Sequence, residues 1–100
     1  PKRYAYCSDT SYLETLIPLV QGVDLLYHEA TFLERHSDLA EATQHSTVRQ
    51  AAQIAKAAGV KTLMVGHYSN RYKDKMVFIK EGESVFPNII LAEDLKTVSI

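Results

Sequence analysis

The side chains in this 100-residue sequence best suited to hydrolytic chemistry are Asp9, the pair His28–Glu29, His45 and His67. The stretch HEATFLERHSDLAEATQHST gathers His28, His36 and His45 among Glu29, Glu34, Asp38 and Glu41. Imidazole and carboxylate are the usual ligands of hydrolytic metals, so a metal cage is one reading. A proton-transfer device is a second, and an ordinary helix carrying histidines is a third. Singly, each residue has a plainer role. Asp9 could form a turn, a histidine at a strand end could be a structural hydrogen-bonder, and Arg71 could make a surface hydrogen bond. His36, in a charged segment, is expected on the surface, and Cys7, inside a strand, in the core.

The elements that must position these groups can be read from the pattern. Residues 3–8 alternate as a strand does, 24–29 form a short apolar run, and 60–66 form a third strand. Ser11 and Glu14 suggest a capping box opening a helix that Pro18 should kink and Gly22 should end. Residues 32–42 have helix-forming composition. Thr47 and Gln50 form a second capping-box pattern, and Val48, Ala51, Ala52, Ala55 and Ala58 mark one apolar face. Gly59 closes that helix, with Lys56 in its last turn. A further helix is expected over 73–85, weakened near Gly82, with short strands near 88–92 and 97–100. Strands alternating with helices imply an α/β fold with parallel strands.

Ligands of such sheets gather at the carboxyl ends of the strands. If the three strands are neighbours, Asp9, Glu29 and His67 share one rim. His45 precedes a helix N-terminus, where the dipole favours an anion such as phosphate.

Composition bounds the class. An apolar fraction of 46% with 23% charged residues describes a globular chain rather than a disordered one. The net charge of −1 gives no sign of a polyanion-binding surface. No apolar run is long enough to cross a bilayer, so no membrane association is expected. A single cysteine excludes an intrachain disulfide and suits a reducing cytoplasm. The chain opens on Pro1 and enters a strand at once, which reads as the middle and end of a longer protein.

YCSDTS at 6–11, HEATF at 28–32, HST at 45–47, GHYSNRY at 66–72 and the closing FPNIILAEDLKTVSI resemble successive motifs of the ribonuclease Z family. These are tRNA 3′-processing endonucleases of the metallo-β-lactamase superfamily. The resemblance implies that residues 1–100 are the C-terminal half of a metallo-β-lactamase αββα sandwich, with the N-terminal half missing from the chain. It implies a cytoplasmic, homodimeric enzyme that uses two zinc ions to hydrolyse a phosphodiester and remove 3′ trailers from precursor tRNA. By resemblance, Asp9 is the bridging ligand and His67 the last histidine ligand. Glu29 would orient His45, which would contact the scissile phosphate and protonate the leaving oxygen. Ser69 and Arg71 are candidates for substrate contacts, and His28 points into the scaffold.

Ser8 stands where the family usually has Gly, and Gly66 where it usually has Thr. The family's HxHxDH motif does not occur in these residues. Two ligands fall short of the three or four that zinc takes, so the chain alone is expected to be inactive. Two other readings stand beside this one. They are a hydrolase of small phosphodiesters or sulfates on the same fold, and a non-catalytic folding or dimerisation module.

Overall fold

A computed structural model describes residues 2–7 and 13–92. The elements run β1 (Tyr4–Cys7), β2 (Leu25–Glu29), α1 (Ser37–Thr43), α2 (Val48–Ala58), β3 (Thr62–Gly66), α3 (Met76–Glu83) and β4 (Ile89–Leu91). The strands form one parallel sheet in the order β1-β2-β3-β4. The expected α/β class and parallel pairing are therefore both observed. Every described strand ends at the same rim.

Register sorts the side chains into two faces. One carries the rows Ala5–Leu26–Leu63–Ile89 and Cys7–His28–Val65–Leu91. Helices α2 and α3 pack on this face and bury it. Leu26, Ile54, Leu63 and Phe78 are fully enclosed, each contributing about 1.5–3 kcal/mol relative to exposure. The other face carries Tyr6–Tyr27–Met64–Ile90 beside Tyr4–Leu25–Thr62. No described helix covers it: Tyr4 is 63% and Tyr6 72% exposed, and the Tyr6 and Tyr27 rings stack at 4.5 Å. One sheet with one helix layer is what half of a sandwich looks like.

Local chemistry explains the best-formed helix. Thr47 accepts from the Gln50 amide while the Gln50 side chain accepts from the Thr47 amide, completing the expected capping box, a feature worth about 1 kcal/mol. Gly59 ends α2 at φ +66, in the left-handed region glycine tolerates best.

Three expectations need correction. A full helix does not follow the first strand: among the described residues there is one 3-10 turn, Glu14–Leu16, entered from Leu13 without a side-chain cap. Ser11, half of the expected capping box, lies outside the described residues, as does the strand expected at 97–100. The segment 32–42 is a 3-10 turn, Glu34–His36, running into α1, rather than one helix. The helix expected over 73–85 is shorter, Met76–Glu83, and Gly82, its next-to-last residue, also permits close packing. A Cβ there would stand 2.5 Å from Ile89 Cδ1 and 3.2 Å from Val48 Cγ2.

Candidate active site at the sheet rim

Glu29 is the last residue of β2 and is wholly buried. The chain that follows it zips against the segment leading into α2. The Thr31 amide donates to Ser46 O at 3.1 Å, the Val48 amide to Phe32 O at 2.9 Å, and Phe32 pairs with Thr47. This brings His45 over the end of β2. The turn is set by Gln44, whose φ of 59° ends α1 and lets the His45 amide reach Ala40 O.

At least four donors among the described residues meet the Glu29 carboxylate. Oε1 accepts from His45 Nδ1 at 2.9 Å and from the Ser46 amide at 3.1 Å. Oε2 accepts from the Thr31 hydroxyl at 2.6 Å and the Thr31 amide at 3.3 Å. A carboxylate offers about four acceptor positions, so Glu29 is saturated by its own fold. That argues for an orienting group rather than a metal ligand.

His67 completes the cluster from the end of β3. Its φ of 65° is left-handed, unusual for a side chain larger than glycine, and such backbones concentrate where geometry serves function. Thr31 Oγ1 lies 3.0 Å from His67 Nδ1. Since the single hydroxyl proton goes to Glu29, the oxygen accepts from Nδ1–H of His67. The ring's lone pair is then at Nε2, the tautomer a metal ligand needs. The His45 and His67 rings stand 5.2 Å apart.

Glu29, His45 and His67 thus place a ligand atom each within 4.8 Å of one another. Tested as a metal centre, this donor set fits in part. It provides two imidazoles held by a buried carboxylate, fewer than the three or four ligands zinc takes. Asp9 lies outside the described residues.

The loop after His67 is pinned by its tyrosines. Tyr68 packs on Phe78 at 4.8 Å and Tyr72 meets the same ring edge-on at 5.1 Å. Ser69 donates its amide to Thr31 O, tying the loop to the site, while its Oγ accepts from the Arg71 amide at 3.3 Å. Ser69 is therefore a turn former here as well as a possible contact. Arg71 is exposed, its guanidinium over the Phe32 ring at 5.9 Å.

Other sequence readings fare differently. His28 does point into the scaffold: it is fully buried, donates Nδ1 to Glu29 O at 2.8 Å, and burial holds its pKa below the ordinary histidine value. Cys7 is half-buried on the helix-covered face, and burial pushes its thiol pKa up. His36 is not a simple surface residue. It is half-buried, and its Nδ1 meets the Tyr72 hydroxyl, which also accepts from the Leu33 amide. The helix N-terminus expected beside His45 is observed, with α2 starting at Val48. The amides of Val48, Gln50 and Ala51 already donate to Phe32 O, Thr47 Oγ1 and Thr47 O, so fewer of its donors are open to an anion than the sequence suggests. Thr31 was the residue missed, because a threonine after a strand looks like ordinary strand composition.

A parallel sheet with helices on one face and a histidine–carboxylate cluster at its rim defines an α/β architecture with a candidate site at the carboxyl ends of its strands. The model of the beta-lactamase superfamily domain matches residues 1–68, and the chain belongs to that superfamily. Over all 100 residues it is 50% identical to ribonuclease Z of Porphyromonas gingivalis, and 54% identical to ribonuclease Z of Parabacteroides distasonis. It spans 33% of the length of each. Among solved structures it is similar to the metallo-β-lactamase fold protein YhfI from Bacillus subtilis, at 28% identity and a TM-score of 0.79, covering 86% of this chain and 35% of that one. It is also similar to human tRNase Z, short form, at 34% identity and a TM-score of 0.66, covering 84% of this chain and 27% of that one. The superfamily fold and the Glu29–His45–His67 triad together support metal use. No described helix is long and apolar enough to cross a membrane.

Proposed function

We propose that this chain is the C-terminal part of a metallo-β-lactamase domain in a zinc-dependent endoribonuclease that removes 3′ trailers from precursor tRNA. The observation that carries the reading is Glu29, held by four donors, fixing His45 directly and His67 through Thr31. A saturated buried carboxylate leaves each imidazole presenting its other nitrogen to one place. The ribonuclease Z names of the relatives supply the substrate class.

In this reading Asp9 and His67 would hold metal from this chain, as part of the ligand set of two zinc ions. Bound zinc supplies an activated water and stabilises charge at the phosphoryl oxygens. His45, steadied by Glu29, contacts the scissile phosphate and holds the proton the leaving oxygen needs. Ser69 and Arg71 contact the substrate, the arginine through its forked donors. The full-length enzyme acts as a cytoplasmic homodimer, and the chain alone is inactive. The test is cleavage of precursor tRNA at the 3′ end by the full-length protein with zinc. His45→Ala should lower the rate about 100-fold or more, while Asp9→Ala and His67→Ala should also lower zinc content. Cleavage by the 100-residue chain alone would refute its inactivity.

The alternative, a hydrolase of small phosphodiesters or sulfates, rests on the shared fold alone, which YhfI matches at a TM-score of 0.79. A full-length protein that hydrolyses a small phosphodiester and leaves precursor tRNA intact would favour it.

A further inference from the structure

Beside the rim lies a shallow depression of about 300 Å³, lined by Arg35, Arg71, Tyr72, Lys73, Asp74 and Val77. It joins two segments far apart in sequence, each already tied to the site. Arg35 follows the Glu29–Thr31 segment, and Arg71 and Lys73 lie on the loop that begins at His67. Arg71 lies four positions after His67, so their Cα atoms are within about 14 Å. The chain as a whole carries a charge of −1, yet three cations converge here against one acid.

None of the three is ion-paired among the described residues. Asp74 is occupied as a turn acceptor, taking the Met76 amide at 3.0 Å. Arg35 lies over the Tyr72 ring at 5.8 Å and Arg71 over Phe32 at 5.9 Å. A guanidinium resting on a ring keeps its in-plane donors for another partner, and a forked donor matches a phosphate. The Tyr72 platform is itself buried and held by Leu33 and His36. The space is at the small end of ligand clefts, suited to a single backbone unit rather than a duplex.

We propose that Arg35, Arg71 and Lys73 grip a phosphodiester of the single-stranded part of the RNA substrate, next to the bond being cut. This rests on the endoribonuclease reading and adds Arg35 and Lys73 to the substrate contacts. An acidic protein partner is disfavoured because Arg71 and Lys73 lie on the loop that begins at His67.

The test uses the full-length protein and a precursor tRNA labelled on its trailer, with binding followed by fluorescence anisotropy over a salt series. Arg35→Ala and Lys73→Ala should each weaken binding about fivefold and reduce the slope of log affinity against log salt by about 0.7. Arg35→Lys, which keeps the charge, should retain the slope. Lys80→Ala, an exposed charge on α3, should match wild type. Thermal unfolding must be the same for all four variants, and Lys73→Ala carries the test should Arg35→Ala fail to fold. Unchanged slopes, an equal effect of Lys80→Ala, or equal competition by polyglutamate would overturn the proposal. Cleavage is scored separately: slope changes without cleavage by wild type would uphold the RNA grip and refute the endoribonuclease reading.

Discussion

Thr31 Oγ1 lies 3.0 Å from Nδ1 of His67, which follows it by 36 positions. The same hydroxyl donates to Glu29 at 2.6 Å, so one proton sets both the buried carboxylate and the tautomer of an exposed histidine. In the full-length protein, Thr31→Val keeps the shape and removes the hydroxyl. Metal affinity and the rate on precursor tRNA should each fall about 10- to 100-fold, the usual cost of losing a group that orients a ligand. Thr31→Ser should recover most of both. Wild-type metal content in Thr31→Val would count against the relay.

Glu29→Gln tests the saturation of the carboxylate. An amide has one acceptor oxygen, so its NH2 must face either the His45–Ser46 pair of donors or the Thr31 pair. Donors left unpaired in a buried site cost about 1–3 kcal/mol. The midpoint of urea unfolding should fall accordingly, and no smaller shift is expected from Glu29→Ala. A variant as stable as wild type would mean that water enters the site.

Gly82→Ala sets helix propensity against packing. Alanine gains about 1 kcal/mol in a helix interior, but its Cβ meets Ile89 Cδ1 at 2.5 Å and Val48 Cγ2 at 3.2 Å. Overpacking costs about 1–3 kcal/mol, so the melting temperature should drop. Ile89→Val in the same background should restore part of it.

Acid should destabilise the fold in two windows. Burial keeps the folded pKa of His28 below 6.5, so the unfolded chain takes that proton first. Its contribution is complete above 6.5 and is lost as pH falls from there through the folded value. The Arg3 amide and Lys61 hold the Asp24 pKa below 3.8. That contribution is present above 3.8 and disappears as pH falls through the lower folded value. Melting temperature followed against pH should show both losses, and Asp24→Asn should flatten only the more acidic one.

The legible parts of the fold are those written in local pattern. The three strands and α2 follow from alternation, an apolar face, and caps at Thr47 and Gly59, all within a few residues of what they control. The first expected helix failed because a suggestive Ser11–Glu14 spacing does not overcome Pro18, which removes a backbone donor. His36 was misjudged because its partner, Tyr72, is also 36 positions away. Glu29 and His45 were suggested as a pair by resemblance, yet Thr31, the group that joins them to His67, had no signal of its own. Bulk charge concealed the depression for a similar reason: Arg35 reaches Arg71 and Lys73 only once the rim has formed.

Gly66, which by the family resemblance takes a threonine's place, is crowded by the tip of Tyr27. A Cβ at position 66 would stand 2.6 Å from the Tyr27 hydroxyl and 3.2 Å from Ala92 Cβ. The two positions are therefore not free to vary separately over evolutionary time. A lineage that enlarges residue 66 must also move or shrink residue 27. Among natural homologues, glycine beside the rim histidine should travel with a long aromatic on the preceding strand, and threonine with something shorter.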